Sequence, residues 1–312
     1  LRVSTLRNYL ELVRLPAVFT AVADVMMGYL VTRGELRPAA AFVVLATISA
    51  LLYLAGMVLN DVFDAESDAR ERPERPIPSR RVSRKRAAVL GWGLLAAGVL
   101  LAIHISDHSH IWRITTVAAA LAGCIVLYDA ALKHTVAGPI AMGACRLLNV
   151  LLGMSLAAEA AARESVRAWT PAEWAIAAGV GVYVAGVTLL ARGEAGSNTR
   201  PQLSAGAAIV LTGLAIIASV PAWSEPTAQL AVVPRGWYLL WAVLVLVIAR
   251  RCVVAIVRPT PRYVQAAVRH CLRSIIVIDA AVVLGFCGVY WGCAVLLLLA
   301  PMLLLERWFA TT

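Results

Sequence analysis

The sequence predicts an all-α integral membrane protein of nine spans, or ten if a short final stretch also crosses. Three observations carry that expectation. The 312 residues are 61% hydrophobic with a mean hydropathy of +0.80, whereas soluble domains sit nearer roughly 45–50% apolar. The apolar residues gather in runs close to the ~20 that a helix needs to cross a bilayer. No run shows strand-like alternation, and a backbone crossing lipid must be either helix or closed barrel.

The first run covers residues 10–32. Its Ala21-Val22-Ala23, followed by Asp24, mimics a signal-peptidase site. The apolar stretch before it is short, contains Pro16 and resumes past Asp24 to Val31, so it reads as a span. Further runs follow at 38–59, 87–105, 111–128, 138–159, 172–191, 203–221, 236–257 and 271–290. Gly292 to Leu305 is apolar but short, either a tilted tenth span or a continuation of the ninth. Polar connections are brief except for 60–86, so residues 1–312 read as a single domain of packed helices. The chain opens on Leu1 rather than Met, as expected of numbering that starts inside a longer reading frame.

Net charge is +10, but the basic residues are too localised to point to a nucleic-acid partner. They crowd the loop from Arg70 to Arg86, then recur as Lys133, as Arg192 and Arg200, and from Arg250 to Arg273. All of these follow even-numbered spans. By the positive-inside rule the N-terminus and those loops are cytoplasmic, in what is expected to be a bacterial inner membrane. The partners expected in that setting include membrane lipids. Cys124, Cys145, Cys252, Cys271, Cys287 and Cys293 are scattered, with no C-x-x-C pair or His cluster. A zinc site is therefore not expected, and the cysteines read as small buried hydrophobes.

The junction after the second span carries the chemistry. Asn60-Asp61-Val62-Phe63-Asp64-Ala65-Glu66-Ser67-Asp68 closes an apolar run and opens the Arg-rich loop. Asp61, Asp64 and Asp68 are spaced by three and four, so a continuing helix puts their carboxylates on one face. Such hard oxygen donors suit Mg²⁺, which typically takes one or two carboxylates plus substrate phosphates. Taken alone, the same acids read equally well as a solvated loop balancing its arginines. Arg72, Arg75 and Lys133 are candidates for diphosphate oxygens, and Pro73, Pro76 and Pro78 stiffen the loop that holds the two arginines. Arg80 to Arg86 read instead as topology signals at the lipid headgroups. Tyr128, Asp129 and Lys133 after the fourth span, with Arg192 and Glu194 after the sixth, belong to the same side of the bundle. Within the spans, Asp24, Arg146, Asn149 and Asp279 read first as a structural Asp–Arg pairing and second as an acceptor-binding group.

Asn60-Asp61-x-x-Asp64-x-x-x-Asp68, then Arg72 and Arg75-Pro76-Ile77, resembles the first signature of the UbiA family of intramembrane prenyltransferases. Tyr128-x-x-x-x-Lys133-x-Thr135 looks like that family's segment after the fourth helix, and Arg14-x-Pro16 and the helix count also fit. The resemblance implies a UbiA-like bundle around a central cavity. It further implies an isoprenoid diphosphate substrate, Mg²⁺ as cofactor, and transfer of the prenyl group to an acceptor that the sequence does not identify. The catalytic set it implies is Asp61, Asp64, Lys133 and Glu194. Its metal ligands are Asp61, Asp64, Asp68 and Glu194. Taken with the reading of the residues themselves, the expected substrate contacts are Asn60, Arg72, Arg75, Tyr128, Asp129 and Arg192, with Arg146 and Asn149 from within the spans. The chain departs from the family where a second acidic pair is expected, offering Glu194 alone in Ala191-Arg192-Gly193-Glu194-Ala195-Gly196-Ser197. Asp129 also stands where many members have proline. The pattern is similar to a divergent branch of UbiA relatives in bacterial Ebo gene clusters. A membrane terpene cyclase using the same diphosphate site, and a carrier that has lost turnover, stay open beside the transferase.

Overall fold

The computed structural model describes residues 3–109, 112–156, 169–192, 199–222, 231 and 233–308, and among them the regular structure is helical. Helix α1 (Val3–Leu12) precedes the first crossing, and a tight turn at Leu15–Ala17 leads into α2 (Val18–Arg33). The long α3 (Ala39–Phe63) is followed by the short α4 (Ala65–Glu71) and by α5 (Arg84–Ser109). Next come α6 (Arg113–Leu127), α7 (Gly138–Gly153), α8 (Pro171–Ala191) and α9 (Arg200–Ala218). The chain then runs through α10 (Pro234–Val257), α11 (Pro261–Cys287), α12 (Val289–Leu296) and α13 (Leu299–Trp308).

Local chemistry sets several of these ends. Thr170 accepts from the Glu173 backbone while Glu173 reaches back to Thr170, a reciprocal cap that starts α8. Pro171, Pro234 and Pro261 occupy first-turn positions, where a missing N–H is harmless.

Ten segments among the described residues are long and apolar enough to cross a membrane. The ninth begins at Pro261 rather than near 271. Its first turns bury Val264, Ala267, Val268 and Cys271 while exposing Arg262 and Arg269. That one-sided pattern kept the average hydropathy low and hid the helix start. The final apolar stretch is a separate span, Val289–Trp308, and not an extension of the ninth. Gly288, at φ 85°, breaks the helix, and Gly292 then packs against Ala280 and Leu284 of α11.

Spatial neighbours follow chain order. Helices α2, α3, α5, α6, α7, α8, α9, α10 and α11 each pack on the next, and α11 returns to α2 to close the ring. The α2 and α7 segments are the innermost, with 67% and 72% of their apolar windows buried against 17% for α5. Their close approach requires small residues. A Cβ on Gly153 would lie 2.5 Å from the Val25 carbonyl oxygen, and one on Gly28 would lie 2.6 Å from that of Val150. Helix α12 packs against α11, and α13 lies against α2 and the Leu15–Ala17 turn.

Candidate active site

Helix α3 stops at Phe63, yet backbone bonding carries its register across the break. The Asp64 N–H donates to Asn60 O at 3.0 Å, Asp68 N–H to Asp64 O at 2.8 Å, and Arg72 N–H to Asp68 O at 2.8 Å. Asp61, Asp64 and Asp68 therefore keep helical spacing, as their sequence positions predict.

Their side chains divide between two sets of cations. Arg75, buried in the proline-rich loop, donates to both Asp68 oxygens at 2.9 and 2.7 Å and approaches Asp61 Oδ1 at 3.5 Å. Arg14 donates to the same Asp61 oxygen at 3.0 Å. It does so from a left-handed conformation, φ 47° and ψ 50°, at the bend between α1 and α2. A non-glycine residue held there is strained, and the strain aims its guanidinium at α3. On the other side, Lys133 donates to Asn60 Oδ1 at 2.7 Å and forms an ion pair with Asp64. The exposed His134 stands 3.9 Å from Asp64. Arg72 is half-buried, and its side chain makes no hydrogen bond or ion pair among the described residues.

Lys133 reaches the site through an irregularity the sequence did not announce. Helix α6 continues into a π-helical turn, Tyr128–Leu132, closed by the Lys133 N–H donating to Tyr128 O at 3.0 Å. Such one-turn insertions recur at functional sites. This one packs against α3 and α7. Tyr128 is half-buried and Asp129 is buried, its Oδ2 lacking any hydrogen-bond partner. Arg192, at the end of α8, donates to the carbonyls of Lys133 (3.3 Å) and Thr135. Gly138 makes room for it, since a Cβ there would sit 2.6 Å from the guanidinium.

Arg146 and Asn149 lie elsewhere, inside the spans. Arg146 donates to Asp24 Oδ2 and Thr20 Oγ1, each at 2.7 Å, and stacks 5.6 Å from the Tyr53 ring centre. The Asn149 amide donates to Asp24 Oδ2 and Ala21 O, each at 2.9 Å, and accepts from Ser49 at 2.6 Å. Asp279 of α11 is fully buried within electrostatic reach of Asp24 and Arg146, and neither of its oxygens has a hydrogen-bond partner among the described residues. These residues form a buried polar knot, and neither Arg146 nor Asn149 bonds to the aspartates at the α3 end. Glu194 lies outside the described residues.

Arg81 also departs from expectation. Instead of only marking a headgroup surface, it bonds Glu11 at 2.5 Å, Asn8 at 3.1 Å and Glu74 O at 2.7 Å, fastening the loop to α1. Arg84 donates to Val62 O at 3.1 Å, covering a carbonyl at the end of α3. The sequence reading omitted Arg14 from the site set. Its signal was present in Arg14-Leu15-Pro16, where the proline fixes the turn that presents it.

Among the described residues no three His, Cys, Asp or Glu side chains are already gathered as a metal site. The donor chemistry nevertheless fits a divalent cation. Asp61, Asp64 and Asp68 offer hard oxygens on one helical register, and Asp129 adds a buried oxygen without a partner. Their present partners, Lys133 and the arginines, are the side-chain types that also bind phosphate.

A sequence model of the UbiA prenyltransferase family matches residues 21–267. A digeranylgeranylglyceryl phosphate synthase of Methanopyrus kandleri is 35% identical over 154 residues, covering 47% of this chain and 54% of that protein. The one from Ignicoccus hospitalis is 35% identical over 156 residues, covering 49% and 48%. The chain thus spans about half the length of these curated relatives. In three dimensions a digeranylgeranylglyceryl phosphate synthase matches with a TM-score of 0.63 at 18% identity, over 91% of this chain and 99% of the other. A UbiA homolog from Archaeoglobus fulgidus bound to GPP and Mg²⁺ matches with a TM-score of 0.64 at 16% identity, over 92% and 99%.

Proposed function

The chain belongs to the UbiA prenyltransferase family, and from that premise we propose that it transfers a prenyl group within the membrane. The donor is an isoprenoid diphosphate, the acceptor is lipophilic or aromatic, and the reaction depends on Mg²⁺. The observation that carries this reading is the meeting of Asn60, Asp64 and Lys133 beside the Arg14–Asp61–Arg75–Asp68 cluster at one end of the bundle.

In this reading Arg72 and Lys133 bind diphosphate oxygens, and Asp61, Asp64 and Asp68, with Glu194, hold the metal ion. Bound Mg²⁺ supplies Lewis-acid charge at the leaving diphosphate. The allylic C–O bond breaks with its electron pair leaving on the diphosphate, a bond forms from that carbon to the acceptor, and the acceptor's proton is released. Arg72 and Lys133 hold the departing charge in place, while the prenyl tail lies among the spans, away from water. Asn60 orients the Lys133 ammonium, and Arg192 anchors the backbone that carries it. The concentration of arginines on this side supports a cytoplasmic site and N-terminus in a bacterial inner membrane. Glu194 is the single carboxylate between Arg192 and Asn198, which supports a divergent branch, as in the Ebo gene clusters.

The test uses purified protein in lipid nanodiscs with allylic diphosphates of several chain lengths, with and without Mg²⁺ and candidate acceptors. Diphosphate release is expected to require Mg²⁺ and to fall by about 10²-fold or more in Asp64→Asn, while Arg86→Ala stays within about twofold of wild type. A hydrocarbon product formed without acceptor would replace this reading with a cyclase. Tight diphosphate binding with no ionisation under any condition would replace it with a carrier.

A further inference from the structure

Asp129 is the carboxylate that the ion pairs of the site leave over. Asp68 is held on both oxygens by Arg75, Asp61 by Arg14 and Arg75, and Asp64 by Lys133. Three carboxylates thus share three cations, Arg14, Arg75 and Lys133, in direct contact, and Asp129 is in none of these ion pairs. Asp129 is only 8% exposed and its Oδ2 has no partner. Lys133, four residues on, is in electrostatic reach, as are Asp64, Arg14 and Asp61. The Lys133 ammonium, however, is already spent on Asn60 and Asp64.

A buried carboxylate oxygen without a donor is costly while charged, and either a proton or a cation relieves it; beside Asp61 and Asp64, on a turn packed against α3, a shared cation is the relief that also serves the site. The backbone is shaped to produce this arrangement. The π-helical turn at Tyr128–Leu132 inserts one residue into α6, and each added residue rotates the following side chains by about 100°. That rotation sets Asp129 on a buried position of the turn while Lys133, beyond it, reaches α3.

We propose that Asp129 is a direct ligand of the divalent cation at this site, completing the donor set begun by Asp61 and Asp64. The proposal rests on the prenyl-transfer reading and names a ligand within it.

Mn²⁺ serves as the probe, with free Mn²⁺ followed by electron paramagnetic resonance during titration of the full chain in nanodiscs, with and without inorganic pyrophosphate. Asp129→Asn keeps the shape and removes the charge. It is expected to weaken Mn²⁺ binding about tenfold or more, as loss of a metal-site group does. Glu66→Gln removes one negative charge from the exposed face of α4, beside the same site, and is expected to change binding less than threefold, which separates ligation from field. Asp129→Glu, which retains a carboxylate, is expected to recover most of the affinity. If Asp129→Asn is not folded, Asp129→Ser replaces it in the same titration. Wild-type affinity in the folded Asn or Ser variant, or an equal loss in Glu66→Gln, would overturn the proposal while leaving the prenyl-transfer reading intact. Wild-type protein that binds neither Mn²⁺ nor pyrophosphate would instead remove the reading on which it rests.

Discussion

Arg72 and Arg75 are chemically identical and three residues apart, yet the fold gives them different work. Arg75 is 7% exposed and bonded to both Asp68 oxygens, so it pins α4 to the loop that follows. Arg72 is half-buried and keeps its guanidinium uncommitted among the described residues, which is what the proposed phosphate contact requires. Removing one partner of a buried pair typically costs about 3–5 kcal/mol. Arg75→Met is therefore expected to lower thermal stability by that amount, read as unfolding followed by tryptophan fluorescence in detergent. Arg72→Ala is expected to leave the melting curve within about 0.5 kcal/mol of wild type while weakening diphosphate binding about tenfold. Equal melting of the two variants would show that Arg75 is not a latch. The sequence marked both arginines as phosphate candidates. It did not separate them because the choice of partner depends on how the loop folds back, not on spacing.

Between elements, the buried knot of Asp24, Arg146, Asn149, Ser49 and Asp279 joins α2, α3, α7 and α11, where Gly28 and Gly153 let α2 and α7 approach. Two carboxylates there face one guanidinium. Arg146→Met leaves both without a cation and is expected to destabilise the bundle by about 3–5 kcal/mol. Asp279→Asn removes the surplus charge while keeping the shape, and is expected to be neutral or stabilising. Denaturant titration of the two variants checks the contrast, and a larger loss for Asp279→Asn would show that the pairing has been read backwards. The polar residues of this knot were visible in the sequence as charges inside apolar runs. Their assembly was not visible, because helical periodicity fixes which face a residue occupies but not which helix that face meets. The π-helical turn at Tyr128–Leu132 was hidden for a related reason: no residue type there breaks an α-helix.

For the molecule as a whole, chain order and spatial order coincide around the ring, and α11 against α2 closes it. The loop 72–83 is tied back onto this frame by Arg81, whose bonds reach Asn8, Glu11 and Glu74. Arg81→Ala is expected to release that fastening. Limited proteolysis should then cut the loop several-fold faster while the melting of the membrane spans is unchanged. An unaltered cleavage rate would mean that Pro76 and Ile77, both buried, hold the loop without it.

Sequence alone determined that the chain crosses a membrane many times, where most spans lie, and that acidic and basic groups mark the end of the second span. These are local properties, since the bilayer selects each segment by its own length and apolar content. The start of the ninth span escaped because its arginines occupy one face of an otherwise buried helix. Only the tertiary structure decided which charges meet. Arg14 and Asp61 are 47 residues apart, Lys133 and Asn60 are 73, and Arg146 and Asp24 are 122. Such pairs exist only because the helices that carry them pack side by side, and a strong ion pair needs its partners within a few ångströms, a distance that packing sets and composition does not.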